Sequence, residues 1–346
     1  MDPLATSRIG QTSLEVTRLG FGGATLGDAR ATIDEHAAEA TIVAAYESGI
    51  GYFDTAPWYG TGKSEHRFGH VLRAKPRDTF KLSTKVGRVL VRPDDPSAFS
   101  QERWAGGLPF VVRFDYTYDG VMRAYEDSLQ RLGVNTVDAL LIHDLDFGYH
   151  EDEASVRARF DELDAGGGYK ALRELKERGE IQAIGAGINV TGFIPRFLER
   201  FDLDLFIVAM PYTLLSQDAL DAELALVEQR GASVVIGAPF ASGILARGPD
   251  DRPTYGYRPA EAPVVEKTRR MRDVCARHGV PLGAAALQFP FGHPAVASII
   301  PGPDSPEQVR ANLDWLRVEI PTDLWAELKA EGILRPDAPT PGPAQA

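Results

Sequence analysis

The sequence has one cysteine and no long apolar run. Cys275 cannot form an intrachain disulfide by itself, and its neighbours, RRMRDVCARHG, follow an amphipathic helical pattern in which a small buried thiol fits. No window approaches the roughly 20 apolar residues of a membrane span, and the opening MDPLATSRIGQTSLEV lacks the apolar stretch of a signal peptide. We therefore expect a cytoplasmic protein with no membrane partner.

Basic residues are also in short supply. The chain carries 37 Lys and Arg against 49 Asp and Glu, which gives a net charge of -12. Binding to nucleic acid or to an anionic membrane needs clustered positive charge, so we expect neither partner. The histidines include no HExxH pair and one cysteine cannot build a thiolate site, so no metal centre is expected. A small-molecule partner is the remaining expectation, and the sequence does not fix the oligomeric state.

Short β-branched or apolar runs alternate with longer amphipathic stretches along most of the chain. The short runs predict eight strands, at residues 16–23, 51–55, 79–87, 137–144, 181–189, 203–210, 233–240 and 296–302. Each strand is followed by a predicted helix, at residues 34–49, 64–75, 119–133, 168–180, 192–201, 219–231, 263–279 and 305–316. Eight such units suit a closed parallel (β/α)8 barrel better than an open doubly wound sheet, which usually stops at about five to seven strands.

The predicted fold is therefore an α/β TIM barrel in a single domain over residues 1–346. Its core covers about residues 8–333, and the Pro-rich end at 334–346 is expected to be a loose tail. Two long loops, at 88–118 and 248–262, leave the C-terminal ends of predicted strands, where the active sites of barrels lie. Long loops at that end tend to be functional, and the aromatic residues of the first suit a pocket lid.

Four polar residues that are unusual for a core fall at neighbouring strand ends. Asp54 ends the second strand, Tyr59 lies in the loop that follows, Lys85 ends the third strand and His143 ends the fourth. A lysine buried at a strand end needs a partner, and Asp54 is the nearest candidate. An ammonium beside a phenol favours phenolate, so we expect the pKa of Tyr59 to lie below its ordinary value of about 10. With His143 placed to hydrogen-bond a reacting oxygen, the four together predict a metal-free acid–base centre.

The segments FDTAPWYG, SEHRFGHVL, LSTKVG and LLIHD resemble those of the aldo-keto reductase family, and the resemblance runs over roughly residues 8–333. The resemblance implies that Tyr59 is the general acid/base, that Lys85 and Asp54 tune it, and that His143 orients the substrate oxygen. It also implies a nicotinamide cofactor that lies across the C-terminal mouth of the barrel without a Rossmann domain. GFGGAT and GAGINV contain Gly-x-Gly but not the full dinucleotide fingerprint, so neither is interpreted as one.

The same resemblance implies the cofactor-binding positions. GAGIN is similar to the family's segment that ends in an Asn contacting the nicotinamide amide, and GAPFASGIL resembles the segment that cradles the pyrophosphate. Ala209 aligns where many members have a Gln, and Gly237 where a Tyr commonly stacks on the nicotinamide, so another aromatic residue is needed for that contact. The predicted cofactor-binding residues are Gly22, Gly23, Asn189, Ala238, Phe240, Ser242, Gly302, Gln308 and Asn312.

The end of the eighth strand bears on the choice of cofactor. NADP-preferring relatives place a Lys after the Ile-Pro and an Arg further along the helix, where this sequence has Gly302 and Gln308. Each missing contact is a hydrogen bond to a charged group, worth about 1.5–3 kcal/mol. Asn312 still matches the adenine contact. We therefore expect NAD, although the nearby Arg310 leaves NADP open.

The segments DYTYDGVMRAYEDSLQRLG, YTLL, GAPFASGIL and HGVPLGAAALQFPFGHPAVASIIPG are most similar to the branch of the family that contains the D-threo-aldose 1-dehydrogenases. Those enzymes act on sugars such as L-fucose, D-arabinose and L-galactose, and pyridoxal 4-dehydrogenases lie close by. In both cases a cyclic hemiacetal is oxidised to a lactone while NAD accepts the hydride. Trp58, Trp104 and Phe147 are expected to form the pocket walls, because a ring face suits a sugar or a pyridine; loop packing explains the last two equally well.

Two other functions stay open. One is a general NADPH-dependent aldehyde reductase, which the missing basic pair at the eighth strand disfavours. The other is a non-catalytic cofactor-binding partner protein, because the family includes ion-channel accessory subunits that retain the barrel. An intact set of four polar residues favours catalysis, and turnover would separate these functions.

Overall fold

Eight parallel strands form the barrel in the computed structural model, which describes residues 1–97, 99–101, 103–249, 252–256 and 258–342. The strands are β1 (Phe21–Gly22), β2 (Tyr52–Asp54), β3 (Lys81–Val86), β4 (Ala139–His143), β5 (Ala183–Ile188), β6 (Leu205–Ala209), β7 (Ser233–Gly237) and β8 (Val296–Ile300). They lie in chain order in one sheet, and each pairs in parallel with the next. The sheet closes where Leu19 forms a parallel bridge with Ile299 in β8. The predicted (β/α)8 barrel is confirmed.

The helices connect these strands and pack around the sheet. They are α1 (Glu35–Glu47), α2 (Lys63–Leu72), α3 (Tyr118–Leu132), α4 (Glu153–Leu163), α5 (Gly168–Glu177), α6 (Phe193–Leu198), α7 (Glu223–Gln229), α8 (Ile244–Arg247), α9 (Ala262–Arg277), α10 (Leu282–Gln288), α11 (Pro306–Arg317) and α12 (Thr322–Ala330). Helices α4, α8, α10 and α12 were not predicted. In α10 every residue is buried, so the sequence LGAAALQ has no polar face that would indicate a helix.

The interior of the barrel holds an apolar cluster that is separate from the layer between strands and helices. Its members include Tyr52, Ala139, Leu141, Ala183, Leu205, Ile207, Val235, Ala297 and Ile300. Alternate residues of the same strands, such as Leu140 and Ile142, belong to the outer layer instead. An N-terminal hairpin, formed by Thr6–Arg8 and Glu15–Thr17, adds Ile9, Leu14 and Val16 to the inner cluster. Because Gly10 of this hairpin donates to Ser233 at the start of β7, the hairpin closes the N-terminal end of the barrel.

Both long loops contain short paired strands. The pairs are Arg88–Val91 with Val111–Phe114 in the first loop and Thr254–Tyr255 with Arg258–Pro259 in the second. The first loop also folds back over the loop that follows β2, where the N–H of Leu108 donates to the carbonyl of Gly60 at 2.9 Å. The described part of this loop therefore partly covers the C-terminal mouth of the barrel.

The C-terminal tail is attached to the barrel as far as the structure describes it. Leu334 and Ala338 are 1% and 0% exposed, and the guanidinium of Arg335 pairs with Asp221. The expectation of a loose tail from residue 334 is wrong for Leu334 and Ala338, which are buried, whereas Pro336, Asp337 and Gly342 are exposed; residues 343–346 lie outside the described residues. Cys275 is buried, as its helical pattern predicts. Within the described ranges, no helix combines the length and the apolar character needed to cross a membrane.

Candidate active site

Three of the predicted site residues reach the barrel interior because side chains alternate along a strand. Asp54 lies two residues after Tyr52 in β2, and His143 lies two residues after Leu141 in β4; both Tyr52 and Leu141 belong to the inner cluster. Lys85 lies near the end of β3, between them. Since the C-terminal ends of parallel strands meet at one edge of the barrel, these side chains gather at its mouth.

A buried ion pair joins Lys85 and Asp54. The Nζ of Lys85 is 2.7 Å from Oδ2 of Asp54, and both side chains are 2% exposed. The ammonium also donates to the carbonyl of Thr55 at 2.9 Å, and the hydroxyl of Ser83 donates to the other carboxylate oxygen at 2.7 Å. Burial raises the pKa of Asp54, while Lys85 and Ser83 act against that rise. The pair was predicted from the rule that a buried lysine needs a partner, and the structure brings the two residues together.

Tyr59 lies beside this pair in the loop after β2. The Nζ of Lys85 is 4.7 Å from the centre of the Tyr59 ring, and the imidazole of His143 is 5.6 Å away, nearly perpendicular to it. The loop approaches its neighbour closely, because a Cβ on Gly60 would lie 2.6 Å from the carbonyl oxygen of Gly27. Gly60 has a φ of 63°, which favours glycine. The structure therefore gathers all four predicted acid–base residues at one place.

His143 is held as a neutral imidazole. It is 3% exposed, and burial together with the charges of Arg88 and Lys85 holds its pKa well below the usual range. Its Nε2 lies 3.3 Å from a carboxylate oxygen of Asp144, and its Nδ1 has no hydrogen-bond partner in the described structure. A neutral imidazole can hydrogen-bond a ligand oxygen through the nitrogen that faces the mouth of the barrel.

Two tryptophans stand beside Tyr59. The ring centres of Trp58 and Trp104 are 5.4 Å apart, and Trp104 is 6.1 Å from Tyr59. Trp104 is only 6% exposed, and its Nε1 has no hydrogen-bond partner among the described residues. The indole N–H is therefore an unsatisfied donor within the described part of the chain. Phe147 is instead 43% exposed and packs on Phe193 at 5.1 Å, so the structure does not bring it to the acid–base residues.

Arg88, Asp144 and Tyr149 lie at the same mouth and were missed in the sequence. Arg88 is 1% exposed, its Nη2 is 2.6 Å from Oδ2 of Asp144, and its guanidinium carbon is 4.1 Å from the centre of the Tyr149 ring. The predicted cofactor residue Asn189 joins them, since its Nδ2 donates to Oδ1 of Asp144 at 2.7 Å. Position was the available signal, because Arg88 follows the strand of the lysine by one turn residue and Asp144 follows His143 directly.

A floor without large side chains lies next to the acid–base residues. Gly187, Ala209 and Gly237 stand at the C-terminal ends of β5, β6 and β7, where Gly187 pairs with His143 and Ala209 with Gly237 in the sheet register. A Cβ added to Gly187 would still be 3.6 Å from its nearest neighbour, the Cε of Lys85. The small residues at these three positions keep large side chains out of the floor beside Lys85 and His143, which suits a flat ring such as a nicotinamide.

The loop after β7 lies between this floor and helix α11, against which it packs. Ala238 and Ser242, predicted to bind the pyrophosphate, have left-handed backbone with φ of 50° and 65°. Phe240 lies between them and packs edge-on against Trp315 of α11, with ring centres 5.6 Å apart. Asn312, the predicted adenine contact, is buried in the same helix. The structure thus places the predicted pyrophosphate and adenine residues on adjoining elements.

The three predicted cofactor glycines lie at the seam where the barrel closes. The N–H of Gly22 donates to the carbonyl that precedes Gly302 at 2.9 Å, and the hydroxyl of Thr25 donates to the carbonyl of Gly302 at 2.9 Å. A Cβ on Gly23 would lie 2.8 Å from the carbonyl oxygen of Asp54. The close packing of β1 against its neighbours explains Gly22 and Gly23 without a ligand.

Acidic side chains occupy the start of helix α11. The Nε2 of Gln308 donates to Asp304 at 2.5 Å, and Arg310 pairs with Glu307 at 2.6 Å. Gln308 and both members of the ion pair are exposed. Arg310, the cation that left NADP open, is therefore already paired with Glu307. A 2'-phosphate near Gln308 would be repelled by the negative charge of Asp304.

Other parts of the described chain offer weaker sites. No three His, Cys, Asp or Glu side chains come together there as a set of metal ligands. A cavity of about 830 Å³ lies at the opposite end of the barrel, and its lining includes the ion pairs Lys176–Asp204 at 2.6 Å and Arg173–Glu177 at 2.9 Å. None of the four acid–base residues lines it. The four acid–base residues therefore lie away from this cavity, at the C-terminal mouth.

Barrel, acid–base residues and floor together define an oxidoreductase of the aldo-keto reductase type. Residues 18–332 match the sequence model of the aldo/keto reductase family, and the chain belongs to that family. Aldo-keto reductases bind nicotinamide cofactors, which agrees with the fit of the floor described above.

Three individual proteins show where the chain lies within the family. It is 41% identical to the pyridoxal 4-dehydrogenase of Microbacterium luteolum, over 94% of this chain and 97% of that protein. It is 36% identical to the D-threo-aldose 1-dehydrogenase of a Pseudomonas species, over 93% and 96% of the two chains. Among solved structures, the holo form of an aldo-keto reductase from Bacillus halodurans matches with a TM-score of 0.72 and 25% identity, over 94% and 96% of the two chains. The relationship to this branch of the family is confirmed.

Proposed function

We propose that the protein is an NAD-dependent dehydrogenase that oxidises a cyclic hemiacetal, such as an aldose, to its lactone, with Tyr59 as general base. The observation that carries the proposal is the arrangement around Tyr59. The ammonium of Lys85 lies 4.7 Å from the centre of the ring and is held by Asp54 at 2.7 Å. A fixed positive charge beside the phenol stabilises the phenolate, which is the form that removes the hydroxyl proton of a hemiacetal.

His143 supports the same role. Because burial and two nearby cations hold its pKa well below the usual range, the imidazole stays neutral at physiological pH. A neutral imidazole can donate its single N–H to the substrate oxygen while Tyr59 takes the hydroxyl proton. When bound, NAD accepts the hydride that leaves the hemiacetal carbon. The chain's own residues then supply orientation and proton transfer at one oxygen atom.

The choice of NAD over NADP follows from the start of helix α11. A 2'-phosphate is best bound by charge-assisted hydrogen bonds from Arg or Lys. Gln308 is bonded to Asp304 instead, and Arg310 to Glu307. These contacts support NAD as the cofactor, because they leave two carboxylates and no free cation among the residues named.

The two relatives support a cyclic hemiacetal as the substrate, since aldoses and pyridoxal both form one. The rings of Trp58 and Trp104 offer flat walls for a substrate ring. An aldose and pyridoxal both satisfy these groups. Pyridoxal is the second candidate, favoured by the 41% identity to a pyridoxal 4-dehydrogenase against 36% to the aldose enzyme.

The test is the formation of NADH or NADPH by the purified protein with L-fucose, D-arabinose, L-galactose and pyridoxal in turn. NADH formation with a sugar supports an aldose as the substrate. NADH formation with pyridoxal alone supports pyridoxal, the second candidate, instead. Reduction of simple aldehydes with NADPH, without dehydrogenase activity, would replace the proposal with a general aldehyde reductase. Cofactor binding without turnover of any compound would point to a non-catalytic partner protein.

A further inference from the structure

Asp144 makes contacts on both sides of the candidate active site. It is 5% exposed, and one carboxylate oxygen lies 2.6 Å from Nη2 of Arg88 and 3.3 Å from Nε2 of His143. The other oxygen accepts a hydrogen bond from Nδ2 of Asn189 at 2.7 Å. A single buried carboxylate therefore touches an imidazole proposed to face the substrate and an amide proposed to face the cofactor.

The backbone keeps Asp144 in this position. Its φ is 45°, in the left-handed region that few residues other than glycine adopt, and its N–H donates to the carbonyl of Gly187 at 3.1 Å. The neighbouring Asp146 is fully buried and accepts a hydrogen bond from the backbone N–H of Asn189 at 3.2 Å. The ends of β4 and β5 are thus joined by two acids, and the amide of Asn189 is fixed at both its backbone and its side chain.

Arg88 supplies the charge that keeps this carboxylate in place. Its guanidinium carbon lies 4.9 Å from the ring centre of Trp58, 5.1 Å from that of Phe114 and 4.1 Å from that of Tyr149. Rings around a guanidinium restrict its movement and attract its charge. The positive guanidinium, 2.6 Å from the carboxylate, stabilises the ionised form of Asp144.

We propose that Asp144, held by Arg88, is a positioning residue that fixes the side-chain amide of Asn189 with its carbonyl oxygen available to the cofactor. An ionised carboxylate can only accept hydrogen bonds, so it dictates that the Nδ2 of Asn189 points toward it. The carbonyl oxygen of Asn189 is then the group left for the N–H of a nicotinamide carboxamide. The inference rests on the proposed function, because it assumes a nicotinamide beside Asn189.

The first test is the binding of NADH, measured by quenching of tryptophan fluorescence in Asp144→Asn and in the wild type. The variant keeps the shape of the side chain, but its amide can either accept or donate a hydrogen bond. The orientation of the side-chain amide of Asn189 is then no longer fixed by position 144. Loss of one hydrogen bond weakens binding by about 3–10-fold. Glu151→Gln, which removes an exposed charge from the same loop, is the matched control and should bind NADH like the wild type. Unchanged NADH affinity in Asp144→Asn would overturn the proposal.

The second test measures the pH dependence of NADH binding by the wild type, a result that does not require the variant to fold. Burial raises the pKa of Asp144 to about 6. The charged and titratable groups that face it are Arg88, Lys85, His143, Asp146 and Tyr116. We expect the dissociation constant of NADH to rise as the pH falls through about 6, and this dependence to vanish in Asp144→Asn. A wild-type affinity that is constant across this range would contradict the proposal.

These measurements separate the two proposals. If the wild type binds NADH with the expected pH dependence but oxidises no hemiacetal, the proposed reaction fails and the role of Asp144 stands. If it oxidises hemiacetals while Asp144→Asn binds NADH normally at every pH, the reaction stands and the positioning role fails. A wild type that does not bind NADH overturns both.

Discussion

Removal of Lys85 should destabilise the protein in a way that depends on pH. Lys85→Met keeps the length of the side chain but leaves Asp54 buried without its cation, while Ser83 still donates to it. At an effective dielectric constant of about 20, unit charges 2.7 Å apart attract each other by about 6 kcal/mol. The folded variant can avoid part of that loss if Asp54 takes up a proton.

Protonation sets the upper limit of the penalty from the unpaired charge. To protonate a carboxyl group of ordinary pKa, about 3.9, costs about 4 kcal/mol at about pH 7 and about 1.5 kcal/mol at about pH 5. Loss of Lys85 raises the pKa of Asp54 in the folded variant further above that of the unfolded chain. A raised acid pKa means that stability is lost as the pH rises, so the penalty should grow by about 1.4 kcal/mol per pH unit between these values.

Urea unfolding followed by circular dichroism at several pH values measures this penalty. Adding Asp54→Asn to Lys85→Met removes the group that titrates, so the slope with pH should disappear in the double variant. Lys170→Met is the control, because this lysine is 74% exposed and forms a long ion pair of 3.7 Å with Glu174. It should change the free energy of unfolding by less than about 0.5 kcal/mol. A penalty for Lys85→Met that does not vary with pH would refute the reasoning.

Three further outcomes follow from the site and the barrel seam. Tyr59→Phe should lower kcat for hemiacetal oxidation by about 10²–10⁴-fold with NADH affinity retained, and near-normal turnover would rule out Tyr59 as the base. Gln308→Arg should raise kcat/KM with NADP about tenfold relative to NAD, since it adds one charge-assisted bond; an unchanged ratio would place the 2'-hydroxyl elsewhere. Gly23→Ala should lower the free energy of unfolding in urea by about 1–3 kcal/mol, because its Cβ would lie 2.5 Å from a ring carbon of Phe68. Gly51→Ala, whose Cβ would lie 3.4 Å from its nearest neighbour, a methyl carbon of Thr17, should lower it less.

Much of the fold and the centre of the site could be predicted because both follow from local patterns. All eight strands lie within the predicted stretches, since alternation of apolar runs and amphipathic helices repeats along the chain. The tips of neighbouring strands then brought Asp54, Lys85 and His143 together without knowledge of any long-range contact. Tyr59 was found because it follows a strand tip by only five residues.

The rest depends on how distant segments fold onto each other. Arg88 stands at the start of a long loop that returns as an antiparallel pair, so no local pattern indicates that its guanidinium is buried among aromatic rings. Phe147 illustrates the reverse case, because an aromatic residue close to a strand tip turns outward against Phe193. Two apolar residues, Leu334 and Ala338, are too few to predict from the sequence that the tail is buried. Their burial depends on the surface of the barrel against which the tail packs.

The charges at the mouth bear on what kind of substrate it accepts. Both buried cations there, Lys85 and Arg88, are already paired with acids at 2.7 and 2.6 Å. A phosphate or carboxylate on the substrate would have to displace one of those acids, and an unpaired buried charge costs about 3–5 kcal/mol. A neutral hemiacetal can be bound through hydrogen bonds, for example with the imidazole of His143, without displacing either acid. The pairing of Lys85 and Arg88 with acids therefore favours an uncharged sugar or pyridoxal over a phosphorylated substrate. It also leaves the ammonium of Lys85 next to the ring of Tyr59.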